Sequence, residues 1–160
     1  MRPRAFGIFV ALLVLLDVTL RTGLGVGGLF TPDLIAVAVL LTARRSTVVR
    51  TVVLGLGLGL LDDAMGIGNL GARSLALGAV AVVGTWTRQI VEGEGPLLIV
   101  PYLFVGAWLV NAIKTVVAPG GVSVTARADL LAAAPIEALV TAVAGTAALV
   151  VFRVVAGRDA

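Results

Sequence analysis

The chain alternates long apolar stretches with short polar or glycine-rich connections. Six stretches are apolar enough to form membrane helices, with approximate bounds 5-22, 32-43, 47-61, 72-88, 97-117 and 130-155. A helix needs about 20 apolar residues to cross a hydrocarbon core of about 30 Å, so six crossings occupy most of the 160 residues. The pattern predicts an all-α membrane protein, a bundle of six transmembrane helices forming one integral membrane domain over residues 1-160.

The second stretch is unusually short. Residues 32-42 give roughly 16 Å of helix at about 1.5 Å per residue, about half of the hydrocarbon core. We expect it to span only if residues 23-30 are also embedded or if the membrane is thinner there. Thr31 is the expected N-cap, with Pro32 in the first turn and Asp33 at the positive end of the helix dipole.

Basic residues lie at the ends of the stretches and predict the orientation. With the N-terminus in the cytoplasm, eight of them lie inside and four outside. The inner set is Arg2, Arg4, Arg44, Arg45, Arg50, Arg88, Arg153 and Arg158, and the outer set is Arg21, Arg73, Lys114 and Arg127. Because cytoplasmic loops are enriched in arginine and lysine, and an even number of crossings returns the chain to the same side, both termini are expected in the cytoplasm.

The composition supports a membrane protein and argues against several kinds of function. The chain is 59% hydrophobic and 13% charged, whereas soluble domains are about half apolar and a quarter charged. It has no cysteine and no histidine, and it lacks phosphate-loop, serine-elbow and zinc-helix motifs. We therefore expect no enzymatic activity, no cofactor and no metal. The basic residues are dispersed, so we expect contact with the lipid bilayer and no nucleic acid partner.

The third stretch carries small and acidic residues at helical spacing. Gly55 and Gly59 lie on one helix face, where small residues let a second backbone approach closely. Packing within the bundle is favoured over packing against a partner's helix. Asp62 and Asp63 lie at the predicted end of this stretch, and Arg73 is expected to close the following loop by an ion pair. Metal binding or a proton relay at the two aspartates is the alternative.

Two further carboxylates lie within apolar stretches. Asp17 precedes Arg21 by four residues, so an intrahelical ion pair is expected and a partner contact is the alternative. Glu137 lies inside the last stretch, where an embedded carboxylate needs a partner. Lys114, near the outer end of the fifth stretch, is expected to form a buried ion pair with it. The alternative is a ligand or proton site in an ion-coupled carrier.

Three segments together resemble the bacterial rod-shape-determining MreD family. Pro32-Asp33-Leu34 opens the short second stretch. The segment from Gly55 to Asp63, followed by Leu70-Gly71-Ala-Arg73, is similar to the family's glycine-x-x-x-aspartate helix end and its leucine-glycine step into the next helix. Asp63 is the matching aspartate and Asp62 is additional. The resemblance covers residues 6-90, and the remainder agrees in hydropathy and length.

The resemblance implies a non-enzymatic subunit of the cell-elongation (rod-shape, peptidoglycan synthesis) machinery in the bacterial cytoplasmic membrane. Such a subunit binds MreC and, through it, is linked to MreB, RodA and a penicillin-binding protein. The residues expected to have partner-binding or structural roles are Pro32, Asp33, Gly55, Gly59, Asp63, Gly71 and Arg73.

The resemblance also implies a second possible function. The MreD family resembles in fold the substrate-binding subunits of energy-coupling-factor vitamin transporters, which hold a small ligand in an outward pocket lined by polar and aromatic groups. Here Trp86 falls near the inner end of its stretch, so an outer stacking site would depend on Trp108 alone. This disfavours the vitamin-binding alternative.

Overall fold

The computed structural model describes residues 3-24, 32-65, 71-90, 96-117 and 124-156, with side chains described for 6-20, 32-65, 71-87, 98-117 and 130-155. The described residues form six α-helices, and the all-α prediction is confirmed. They are α1 (Pro3–Leu24), α2 (Leu34–Ala43), α3 (Val48–Met65), α4 (Ala72–Ile90), α5 (Pro96–Val117) and α6 (Val124–Ala156).

Two of the described helices are long and apolar enough to cross a membrane. The qualifying stretches are Leu98–Val117 in α5 and Leu130–Val155 in α6. Phe6–Leu20 in α1 and Leu34–Ala43 in α2 are apolar but shorter. Within the described part of the chain, two of the six predicted crossings are therefore supported by length and composition.

Helix α2 lies at the centre of the bundle. All ten of its residues are buried, and it packs against α1, α3, α4, α5 and α6. Its sequence contains aliphatic side chains on every face, and a helix that is apolar all round is stable only when it is surrounded. The shortest helix is therefore the core of the fold.

The start of α2 differs from the sequence-based prediction. The N-cap is Asp33, whose Oδ1 accepts the backbone N–H of Ala36 over 3.0 Å. The prediction of a helix beginning at Pro32 was wrong, because Pro32 precedes the cap and aspartate is at least as good an N-cap as threonine. Thr31, the predicted N-cap, lies outside the described residues.

Helices α3 and α4 form a closely packed antiparallel pair. A Cβ atom at Gly59 would lie within 2.3 Å of the Cα of Ser74, and one at Gly55 would lie 2.9 Å from the carbonyl oxygen of Leu77. The hydroxyl of Ser74 donates to the carbonyl of Leu56 over 3.2 Å. The two glycines therefore contact α4 within the bundle, as the favoured interpretation of their spacing required.

Two helix ends lie beyond their predicted positions. Helix α3 continues to Met65 rather than ending at Leu61, since the side chains of Asp62 and Asp63 find partners on neighbouring elements without leaving the helix. Helix α6 begins at Val124, six residues before the predicted start of the last stretch at residue 130.

Candidate functional site

Six polar side chains meet around the amino ends of α2 and α4, and we call this group the polar cluster. They come from α1, α3, α4, α6 and the residue before α2: Asp17, Asp33, Asp62, Asp63, Arg73 and Thr141. Four of them are buried, namely Asp17, Asp33, Arg73 and Thr141. Buried charges are costly unless they are paired and hydrogen-bonded, so their contacts indicate what the cluster does.

The first function of the cluster is to satisfy the amino end of α2. The first N–H groups of a helix have no intrahelical acceptor. The N–H of Asp33 donates to Oγ1 of Thr141 over 3.0 Å, and the N–H of Leu34 donates to Oδ1 of Asp17 over 2.9 Å. Asp33 itself accepts from Ala36. Side chains of α1 and α6 are thereby joined to the central helix.

Arg73 connects three helical elements through ion pairs. Its Nη2 donates to Oδ1 of Asp33 over 2.8 Å, and its Nε lies 2.5 Å from Oδ2 of Asp62. Arg73 therefore links α4 both to the cap of α2 and to the end of α3.

Asp63 has a different function from its neighbour Asp62, because it caps α4. Its Oδ2 accepts hydrogen bonds from the backbone N–H groups of Gly71 over 2.9 Å and of Ser74 over 3.1 Å. Its Oδ1 lies 3.4 Å from the backbone nitrogen of Arg73. Gly71 has φ +97°, a conformation that glycine adopts at little cost. The predicted ion pair therefore forms between Arg73 and Asp62, whereas Asp63 binds backbone.

Two further ion pairs were predicted from the sequence, one between Glu137 and Lys114 and one between Asp17 and Arg21. Glu137 accepts a hydrogen bond from Nδ2 of Asn111 over 3.2 Å, and the predicted ion pair with Lys114 is not among the contacts between these described side chains. Lys114 lies almost one turn beyond Asn111, which brings the amide rather than the ammonium level with Glu137. For the predicted pair of Asp17 and Arg21, the side chain of Arg21 lies outside the described ones.

Sequence reasoning missed two members of the cluster. Asp62 was considered additional to the motif, although it is a direct partner of Arg73. Thr141 gave no signal, because threonines inside apolar helices usually bind their own backbone, as Thr42 and Thr146 do here. The position of a carboxylate in an apolar stretch did single out Asp17, which accepts a hydrogen bond from the backbone of α2.

The cluster is arranged for structural support. The carboxylates accept hydrogen bonds from helix N–H groups or pair with Arg73, and their oxygens are therefore directed at the protein itself. Among the residues that the structure describes, no group of three or more acidic side chains has the geometry to hold a metal ion.

Comparisons with known proteins add no relative. No family model, no curated protein and no solved structure matches the chain. The function therefore has to be inferred from the resemblance carried by the motif residues and from the contacts that those residues make.

Proposed function

We propose that this protein is a non-enzymatic membrane subunit of the bacterial cell-elongation complex, in which it binds MreC and is linked through MreC to MreB, RodA and a penicillin-binding protein. The main support is a contact between two of the three segments that carry the resemblance to the MreD family. Asp33 belongs to the first segment and Arg73 to the third, and their side chains are joined over 2.8 Å.

The proposal includes six membrane crossings with both termini in the cytoplasm. Large aliphatic side chains are exposed on α1 and α3, which are not among the two helices that pass the test of length and composition: Ile8 is 62% exposed on α1, and Val49 and Val53 are 72% and 65% exposed on α3. Soluble proteins rarely expose contiguous apolar surface of this kind. Lipid is the solvent that such faces fit.

The short central helix is compatible with six crossings. A ten-residue helix is roughly 15 Å long and does not match a hydrocarbon core of about 30 Å. Helix α2 is enclosed by the other five described helices, and irregular backbone at membrane depth is tolerated where protein surrounds it. The polar cluster supplies the partners that such a buried helix start needs.

A binding subunit suits the chemistry of the cluster better than a transporter or an enzyme does. The motif residues are engaged in holding α2, α3 and α4 together, so the partner contact has to come from outer faces of the bundle. A vitamin-binding subunit needs a pocket lined by polar and aromatic groups. Trp86 is 66% exposed on the outside of α4, and the described cleft beside α4 has an almost wholly apolar lining.

The test is co-purification from native membranes. The tagged protein is extracted in mild detergent from the organism that encodes it, and the proteins that accompany it are identified by mass spectrometry. Two tryptophan variants on exposed helix faces leave the polar cluster intact: Val53→Trp on α3 and Leu139→Trp on α6. A bulky side chain disturbs a helix contact more than it disturbs a lipid contact, so each variant reports on one face.

The expected result is recovery of MreC with the wild-type protein and its loss in one of the two variants at unchanged expression. Recovery of an ATPase-bearing transporter module without MreC would overturn the proposal in favour of the vitamin-binding subunit. Absence of MreC even after crosslinking in intact membranes would also refute it.

A further inference from the structure

A cleft lies between α4 and α5, at the end of the bundle opposite the polar cluster. It encloses about 260 Å³, and Leu40 of α2 lies among its lining residues. Val83, Leu98 and Val105 also line it and are 47%, 43% and 53% exposed, so they form its open side. The cleft therefore opens sideways through the outer surface of the bundle, where a membrane would surround it.

Tyr102 fixes the shape of this cleft. Its hydroxyl donates to the carbonyl oxygen of Leu40 over 3.0 Å and lies 3.4 Å from that of Gly84. A Cβ atom at Gly84 would lie 2.8 Å from this hydroxyl, and one at Gly106 would lie 2.5 Å from a methyl group of Leu40. The two glycines thus allow α4 and α5 to approach α2, and the tyrosine joins all three helices.

A positive charge lies beside the cleft. The guanidinium carbon of Arg44, the residue that follows α2, lies 5.5 Å from the centre of the Tyr102 ring. This distance is within the range of a cation–π interaction. A guanidinium has five N–H donors in a planar fork that fits phosphate, so Arg44 can contact an anionic group at this end of the cleft in addition to the partners that it has within the protein.

We propose that the cleft binds one acyl chain of an anionic phospholipid whose phosphate contacts Arg44. Water is a poor occupant, because a buried water needs two to four polar partners and the lining offers almost none. A partner helix is about 10–12 Å across, too wide to enter such a cleft except by single side chains. A lipid chain matches the apolar lining, and its head group matches the charge.

The location of the cleft agrees with this occupant. The positive-inside rule assigns Arg44 to the cytoplasmic side, where the leaflet carries anionic lipids that attract basic residues near the membrane surface. The inference rests on the membrane embedding in the proposed function and is independent of MreC. It adds a lipid site to the face of α4 and α5, which none of the motif residues reaches.

The test uses photo-crosslinking with defined lipids. The purified full-length protein is placed in nanodiscs of phosphatidylcholine that contain a trace of phosphatidylglycerol with a diazirine in its acyl chain. A parallel sample contains the phosphatidylcholine analogue of the same probe. Labelled peptides are mapped by mass spectrometry. Arg44→Gln removes the charge beside the cleft, and Arg45→Gln is its matched control, because Arg45 lies over Phe6 of α1 instead.

We expect the phosphatidylglycerol probe to label residues 80-87 and 98-109 roughly fivefold more than the phosphatidylcholine probe, the factor that corresponds to about 1 kcal/mol per basic residue. Arg44→Gln should remove this preference while Arg45→Gln keeps it. Val105→Trp should fill the open side and lower labelling by both probes, whereas Val143→Trp, equally exposed on α6, should not.

Three results would overturn the lipid site: equal labelling by the two probes in the wild type, unchanged labelling in Val105→Trp, or label spread evenly over all outer faces. Flotation of the protein with the nanodiscs, measured in the same samples, separates this failure from a failure of membrane embedding. A protein that does not float would refute the proposed function as well.

Discussion

Replacing Arg73 by methionine tests whether charge compensation holds the polar cluster together. The side chains of Arg73 and Asp33 are 11% and 8% exposed, and that of Asp62 is 10% exposed. Methionine preserves much of the apolar stem but removes the charge, so the buried carboxylate of Asp33 and the largely covered one of Asp62 both lose their ion pair with Arg73. Breaking a buried ion pair by removing one partner costs about 3–5 kcal/mol. We expect Arg73→Met to lower the free energy of unfolding by that amount.

The matching rescue variant neutralises the two carboxylates in the same chain. Asparagine is as good an N-cap as aspartate, so Asp33→Asn keeps the hydrogen bond from the first turn of α2. Exchanging a whole buried ion pair for uncharged groups is often close to neutral. The triple variant with Asp33→Asn, Asp62→Asn and Arg73→Met should therefore recover about 2 kcal/mol or more of the stability lost on replacing Arg73 alone.

Unfolding can be followed by circular dichroism in mixed micelles while the fraction of denaturing detergent is raised. Arg50→Met is the control, because Arg50 is exposed and surface substitutions usually change stability by less than about 0.5 kcal/mol. Two results would refute the reasoning. One is a stability of Arg73→Met within about 1 kcal/mol of the wild type, and the other is a triple variant less stable than the single one.

Three further substitutions probe separate contacts, the first two by the same unfolding assay and the third by amide hydrogen exchange. Gly59→Ala should cost about 1–3 kcal/mol because its Cβ overlaps the backbone of α4, whereas Gly57→Ala, with nothing within 4 Å of its Cβ, should be neutral or slightly stabilising. Equal effects at the two glycines would contradict the close packing. Thr141→Val should lower the free energy of unfolding by about 1–3 kcal/mol, because the backbone N–H of Asp33 loses its acceptor. Thr146→Val loses only a hydrogen bond to its own helix and should lower it less. Asp63→Ala should speed amide hydrogen exchange at the start of α4, since it removes the acceptor of the N–H groups there; unchanged exchange would exclude the capping function.

The overall helical organisation could be predicted from the sequence, because long apolar stretches separated by charged or glycine-rich connections are a strong signal. Helix ends were less predictable where side-chain contacts decide them. Helix α3 runs past Asp62 and Asp63 to Met65, since both carboxylates reach partners from within the helix. A polar pair normally marks the edge of an apolar stretch, and only the tertiary contacts show that it does not end the helix.

The partners of individual charges were the least predictable feature. The sequence suggested Lys114 of a neighbouring helix as the partner of Glu137, yet the described contact of Glu137 is with the amide of Asn111. It gave no sign that Asp17 would accept the backbone N–H of Leu34. Helix-helix contacts in a membrane lack the contrast between apolar and polar surface that marks a soluble core. Sequence spacing therefore reports neighbours on one helix and says little about which neighbouring helix faces them.

The shortness of α2 accounts for the composition of the polar cluster. A helix of ten residues enclosed by five others begins inside the bundle, where its first N–H groups cannot reach water, and Asp17, Asp33 and Thr141 supply acceptors there. Buried carboxylates then require a cation, which Arg73 provides, and its guanidinium also forms an ion pair with Asp62. The unpaired N–H groups of α2 thus require the carboxylates, and the carboxylates require the arginine. The polar cluster therefore follows from the hydrogen bonds that the backbone needs rather than from a ligand. In the proposed complex, partner binding should therefore map to the outer faces of the helices, and substitutions in the cluster should reduce binding only as far as they reduce folding.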